Sequence, residues 1–287
     1  MWVVSGCFGG VARAGVGKRE RRGITAEEQA KYKAKNRTYS TSVYYRICSI
    51  FAAQEDPMAS STSILAGSKL SYFPMPGRGE SVRLALQLSG VEWVDNRVPG
   101  KDWGSIKPST PWGKMPMLEL ADGAKLSQQR ALLRFVGKLG GLYPDDPLLA
   151  ARVDELMDTV DDCQVLTNSV GQGQEQGAKE AARAEAAVSG TVAALLAKID
   201  AYVAMHGSGG FAVGSSLTVA DLMVATHLCM IPSGMFDGVP ATALDAFPNI
   251  CLVRKTVMTE PRIAAYYAGR AADMGDFEKF ICDVSKL

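Results

Sequence analysis

A phenol and a guanidinium stand six positions apart, Tyr72 and Arg78, in the stretch KLSYFPMPGRGESVRLAL from Lys69 to Leu86. A short strand pattern ends at Tyr72, Pro and Gly residues turn the chain, and a helix opens near Arg78. That turn puts both groups into one small space. A phenolic O–H can donate to a nearby thiolate, and a guanidinium at a helix start adds positive charge where backbone N–H groups already favour anions. The chemistry these residue types suit is the making of a sulfur nucleophile.

Further groups downstream point at the same kind of ligand. Met115-Pro116 opens a strand after Lys114. Pro removes one backbone donor, and a cis bond there would aim a carbonyl and an amide at an extended peptide pairing with that edge. Gln128-Gln129 sits where the next helix begins, so its amides and the helix N-terminal N–H groups could hold a carboxylate. Together with Tyr72 and Arg78 these residues outline a site for a small acidic peptide bearing a thiol. Phe73 and Met75, beside the phenol, would wall an apolar pocket for a second reactant, as would the helices further on.

The elements that must position these groups read clearly from Lys69 onward. A strand (Lys69 to Phe73), a helix (about Gly79 to Ser89) and a strand (Glu92 to Arg97) make a β-α-β start, followed by a loop or short helix through Trp103. MPMLEL and a short segment near Ala124 to Leu126 flank Asp122-Gly123, a strong hairpin signal, and a helix follows from about Gln128 to Leu139. The order is βαβ-ββα with a mixed sheet. GGLYPDDP then breaks the pattern, and from Leu148 apolar residues recur only at helical spacing: Val153, Leu156, Met157 and Val160, then Val188, Val192, Leu195, Ile199 and Tyr202 as one segment. In SSLTVADL, Thr218 and Asp221 fit the two ends of a capping box, a folding role that accounts for both. The chain therefore divides into an extension (1–67), an α/β domain (68–146) and an all-α domain (147–287).

Composition narrows the function classes. At 287 residues and 47% hydrophobic content the chain can bury a sizeable core. Its apolar runs fall short of the roughly 18 residues that a membrane span needs, so no membrane partner is expected. The net charge of +1 combines a basic extension with an acidic body, which offers no stripe for nucleic acid. Six cysteines without CxxC spacing, and two isolated histidines, His206 and His227, indicate neither a metal site nor a disulfide framework. The extension suits three origins: a disordered tail, sequence upstream of a true start at Met58, or an organelle transit peptide. A cytoplasmic location is expected unless it is the last.

At these residues the sequence resembles the cytosolic glutathione S-transferase family, most closely its sigma class and its other Tyr-type relatives. The resemblance covers residues 69 to about 270. It rests on SYF with GRGE and RLAL, on Trp103, Lys107 and the Lys114 to Pro116 triplet, on LSQQRALLRF and on the SLTVADL box. It implies a thioredoxin-like N-terminal domain, an all-helical C-terminal domain, glutathione as co-substrate, small hydrophobic electrophiles as partners, and a homodimer. It also implies roles. Tyr72 would donate to the glutathione thiolate and Arg78 would support it. Trp103, Lys107 and Lys114 would hold the glycine end, the Met115 backbone before Pro116 the cysteinyl unit, and Gln128 and Gln129 the γ-glutamyl group. The family normally carries Ser where Gln129 stands, so that contact would pass to the backbone or weaken.

In VDELMDTVDDC, Asp158, Asp161 and Asp162 fall on one helix face. The face is either a solvated acidic surface or, as the resemblance implies for Asp162, an acid that reaches a partner subunit's ligand. Taken singly, Lys107 and Lys114 are ordinary surface lysines, Trp103 a core or lid aromatic, and Tyr72 a rim residue.

Thiol ionisation is the first chemical task, because a thiol of pKa about 8.5 is only a few per cent thiolate at neutral pH. Lowering it by about two pH units takes roughly 2.7 kcal/mol of preference for the anion, within reach of one phenol donor and a nearby cation. Conjugation to hydrophobic electrophiles follows as the expected activity, with peroxide reduction beside it. The resemblance disfavours prostaglandin isomerisation, since the sigma relatives that isomerise prostaglandin H2 shape the pocket with a Trp in a region where this chain has no aromatic residue, from Asp154 to Ala201. A non-enzymatic, crystallin-like binding or structural role is the alternative, and Gln129 is the feature that points to it.

Overall fold

The computed structural model describes residues 62–283, so the readings placed on the extension before them fall outside the described residues. Strand β1 (Ser68–Tyr72) lies inside a four-stranded sheet of order β2-β1-β3-β4, parallel to β2 (Trp93–Arg97) and antiparallel to β3 (Met117–Glu119). β4 (Lys125–Ser127) closes the hairpin on β3. The Asp122-Gly123 turn behaves as its residues dictate: Gly123 takes φ +86°, Leu120 N–H donates to the Ala124 carbonyl at 2.9 Å, and Asp122 Oδ1 accepts from Ala124 N–H at 2.9 Å. β3 is consequently an interior strand, which corrects the edge expected after Pro116. Met115 and Pro116, ahead of the strand, stand outside both ladders.

Helix α1 (Gly77–Ser89) starts two residues earlier than apolar spacing indicates, because Gly-Arg-Gly has no apolar side chain by which periodicity could mark its first turn. After β2 the chain passes through helical turns that include α2 (Trp103–Ile106), and α3 (Gln129–Leu139) follows the hairpin. α1 and α3 pack on each other and bury Val82, Leu86, Leu132 and Leu133 beside Leu70 of the sheet. Each such aliphatic side chain contributes about 1.5–3 kcal/mol when withdrawn from water.

The helical half begins where Pro147 sets the first helical φ and Asp146 Oδ1 accepts from Leu149 N–H at 2.8 Å. It comprises α4 (Pro147–Ser169), α5 (Gln176–Val188), α6 (Thr191–His206), α7 (Val219–Met223) running into a wider turn at Val224–Leu228, α8 (Pro248–Met258), α9 (Pro261–Gly269) and α10 (Asp276–Cys282). The segment read as one helix through Val188 and Val192 is two, broken at Ser189-Gly190. The stretch Gln176–His206 is long and apolar enough to cross a membrane by length and composition. Its break and the burial of Ala186, Ala187, Leu196 and Ile199 against the other helices make it a pair of packed helices.

Asp221 realises the capping box. It accepts from Thr218 N–H and Oγ1–H, both at 2.7 Å, and its other oxygen accepts from Ala212 N–H at 2.6 Å. One continuous apolar core runs from Leu70 through Met157 and Leu222 to Ile281, so the sheet and the helices share an interior. The cysteines among the described residues are unbridged; Cys163 and Cys229 are buried, and burial pushes each thiol up to about 12.

Candidate active site

Tyr72 ends β1 with its ring laid across the first turn of α1. A Cβ on Gly77 would stand 2.5 Å from the Tyr72 hydroxyl, and one on Gly79 would stand 2.4 Å from ring atom Cδ1, so both glycines are required by the approach of the ring. The Arg78 N–H, one of the helix's unpaired first-turn donors, donates to the phenolic oxygen at 3.0 Å. Burial raises the Tyr72 pKa, opposed by that bond and by the charges of Arg78 and Arg83. The phenol is therefore protonated at neutral pH and acts as a donor. With one lone pair taken by Arg78 N–H, its proton is free to point at an incoming sulfur anion.

The Arg78 guanidinium pairs with Asp161 of α4 at 2.6 Å. Arg130 of α3 holds the other Asp161 oxygen at 2.6 Å and reaches Asp158 at 3.0 Å, while Arg134 pairs with Asp154 at 2.8 Å. Two of the three acids read on this face are thus neutralised from inside the chain by arginines of α1 and α3. Asp162 is exposed.

A second arginine anchors the turn after Tyr72. Arg83 is fully buried, donates to the carbonyls of Phe73 and Met75 at 3.0 and 2.9 Å, pairs with Glu80 and Asp95 at 3.0 Å each, and lies 5.6 Å from the centre of the Tyr72 ring. The neighbouring carboxylates raise its pKa against the cost of burial, so it remains a cation. Tyr267 of α9 donates to the other Glu80 oxygen at 2.8 Å. Sequence reading missed Arg83, Glu80 and Tyr267. The i, i+3 spacing of Glu80 and Arg83 was visible, but the carbonyls they serve were not.

Gln128 is exposed and holds φ +74°, ψ +105°, a backbone region that costs a non-glycine residue roughly 1–3 kcal/mol. Gln129 is buried, and its amide turns inward: Nε2 donates to Ser81 Oγ at 2.7 Å and faces His227 Nε2 at 2.8 Å. Its side chain is committed to the core, which removes it from the expected γ-glutamyl contact and leaves that position only its backbone. With Nδ1 of His227 protonated toward Thr226 Oγ1 at 3.2 Å, His227 Nε2 accepts from the Gln129 amide and Thr226 donates to the Leu222 carbonyl at 2.7 Å. Burial, followed by the Arg78 charge, lowers the His227 pKa to about 3, so the ring is neutral.

The Met115-Pro116 bond is cis, the condition on which the peptide-pairing reading depends. Trp103, half-buried at the start of α2, meets Phe73 edge-on at 5.9 Å, and Phe73 meets Tyr72 at 5.6 Å. Lys107 and Lys114 are exposed on the segment between. Beside the phenol opens a cavity of about 320 Å³ between the turn and α4, whose walls include Tyr72, Met75, Gly77 and Arg78. Met230, Met235 and Phe236 supply its apolar side, and Gln164, Asn168 and Arg183 a polar one. Of the expected apolar walls Met75 is in place, whereas Phe73 is not, because its ring is engaged between Tyr72 and Trp103.

Comparison with known proteins bears on the family and the fold. Residues 164–270 match the family model "Glutathione S-transferase, C-terminal domain". The chain is 37% identical to glutathione S-transferase 1 of Ascaris suum over 163 residues, 56% of this chain and 78% of the relative. It is 32% identical to the hematopoietic prostaglandin D synthase of Gallus gallus over 202 residues, 70% and 96% of the two chains. The crystal structure of the glutathione S-transferase from Ascaris lumbricoides superposes with a TM-score of 0.59 at 31% identity, covering 71% of this chain and 97% of that one. With a thioredoxin-like sheet domain, a helical domain and relatives of this likeness over 78% and 96% of their length, the chain belongs to the glutathione S-transferase family and is a glutathione transferase that uses glutathione as its co-substrate.

Proposed function

We propose that this enzyme activates glutathione at Tyr72 and conjugates the thiolate to small hydrophobic electrophiles held in the adjoining cavity, with peroxide reduction as a side activity. The observation that carries the reading is the protonated phenol of Tyr72, oriented by Arg78 N–H at 3.0 Å and set in the wall of a cavity lined by Met75, Met230 and Phe236. In this assignment the phenol donates to the sulfur, the Met115 backbone pairs with the cysteinyl unit, Gln128 and the N–H of Gln129 hold the γ-glutamyl carboxylate, and Trp103, Lys107 and Lys114 hold the glycine end. A dimer suits the exposed Trp112, whose ring is 69% accessible on the loop before Pro116, and would bring the partner's Asp162 toward the ligand. A sigma-class assignment rests on the motif resemblance of residues 69–270.

Prostaglandin isomerisation is a second reading, favoured by the name of the Gallus gallus relative. The segment from Asp154 to Ala201 supplies no aromatic wall, but Phe236 comes into the cavity from elsewhere in the chain. Conjugation of a chloronitrobenzene, retention on immobilised glutathione and turnover of prostaglandin H2 separate the readings. Loss of conjugation in Tyr72→Phe supports the first, and binding to glutathione without any turnover sinks it.

A further inference from the structure

The cavity that would take the electrophile is not apolar throughout. Its described wall includes two guanidinium groups, Arg78 and Arg183, and no carboxylate. The Arg78 charge is spent on Asp161 at 2.6 Å. Arg183 differs. Its side chain is only 10% exposed, Nε donates to the Val170 carbonyl at 3.3 Å, and its nearest acid, Asp237, stands 3.9 Å away, half exposed and held more closely by Lys179 at 3.3 Å. A guanidinium carries five N–H donors and binds carboxylates in pairs of parallel bonds. These contacts leave a largely buried cation with donors and charge to spare, stacked 5.8 Å over the Phe236 ring that forms the apolar wall. Gln164 and Asn168, one turn apart on α4, add neutral amides to the same side, and Gln164 Oε1 is buried with no hydrogen-bond partner.

Resting on the transferase reading above, we infer that the second substrate is amphipathic: an electrophile with an apolar body and an anionic group, such as a carboxylate, which Arg183 receives while Tyr72 holds the sulfur. The apolar body lies along Phe236 and the methionines, and the anion takes the donors that Val170 and Asp237 leave unused. In a partly dry cavity such a charge-assisted contact is worth roughly ten- to hundredfold in kcat/KM over a neutral analogue. Only a substrate with both parts uses both walls.

The test compares 4-chloro-3-nitrobenzoate with 4-chloro-3-nitrobenzamide, using the full chain, with each kcat/KM divided by the probe's uncatalysed rate with glutathione. The wild-type protein is expected to favour the carboxylate at least tenfold. Arg183→Met, which keeps length and packing on Phe236, is expected to collapse that ratio to about one, and Arg183→Lys to keep part of it. Equal normalised rates in the wild type, or a ratio unchanged in Arg183→Met, overturn the inference. Should the variants fail to fold, the wild-type ratio still decides. Turnover of the amide without preference for the acid removes this inference alone, whereas inertness toward both probes removes the conjugation reading beneath it.

Discussion

The Arg78 N–H donates to the hydroxyl oxygen of Tyr72 at 3.0 Å, so the first turn of α1 fixes the direction of the phenolic proton before any thiol arrives. The helix uses one of its unpaired donors to orient the phenol. Tyr72→Phe keeps the ring between the two glycines and removes only the oxygen. Conjugation should fall roughly 10²- to 10³-fold, the usual effect of losing one preorganised donor to a developing or bound anion. The pKa of enzyme-bound glutathione, read from thiolate absorbance against pH, should return toward about 8.5. A bound thiol that titrates identically in both proteins would remove Tyr72 from the chemistry.

Gly79→Ala tests the same junction from the helix side. Its Cβ would fall 2.4 Å from Cδ1 and 2.6 Å from Cγ of Tyr72, inside van der Waals contact with a ring that burial holds in place. Overpacking of this kind costs about 1–3 kcal/mol. The melting temperature should drop, and kcat should fall further than the stability loss explains, because the ring must tilt away from Arg78 N–H. Wild-type melting and rate together would show that the ring yields without consequence.

The Arg83 cluster should behave as a buried ion network rather than as a surface bridge. Arg83→Met leaves Glu80 buried without its cation and frees the carbonyls of Phe73 and Met75, and removal of one partner of a buried pair typically costs about 3–5 kcal/mol. Tyr267→Phe removes only the 2.8 Å bond to Glu80 and should cost about 1–3 kcal/mol. Denaturant midpoints give this order directly. A smaller loss for Arg83→Met than for Tyr267→Phe would mean that the turn is held by other contacts.

The sheet and its helices were legible because their signals are local. Asp122-Gly123 marks the hairpin, alternation marks β1, and Thr218 with Asp221 marks a helix start. Tyr72, Arg78 and Met115-Pro116 were legible for the same reason, since a turn, a helix start and an X-Pro bond each announce themselves within a few residues. What was not legible depends on long-range placement. The inward turn of Gln129 follows from His227, 98 positions away, and the anchoring of Glu80 from Tyr267, 187 positions away. No period or motif connects such pairs. The polar wall of the cavity was missed because Arg183 lies in an alanine-rich helix that reads as plain scaffold.

Two buried groups of the helical half should pull stability in opposite directions with pH. Burial raises the Asp221 pKa from 3.8 to about 6 despite the bonds from Ala212 and Thr218. Below pH 3.8 its contribution is fully present, and it is lost as pH rises through 6, because the unfolded chain gives up the proton first. Burial lowers the His227 pKa from 6.5 to about 3, so its contribution is present above 6.5 and is lost as pH falls toward 3, where only the unfolded chain binds the proton. Between pH 4 and 6 each slope has a limit of roughly 1.4 kcal/mol per pH unit, and the two cancel in the wild type. Single variants should separate them. In Asp221→Asn the His227 term stands alone, so the melting temperature, relative to wild type, should climb as pH rises from 4 to 6. In His227→Gln the Asp221 term stands alone and the difference should run downward. Melting curves of the three proteins across that window decide the matter: parallel curves would show that neither group changes protonation on unfolding there.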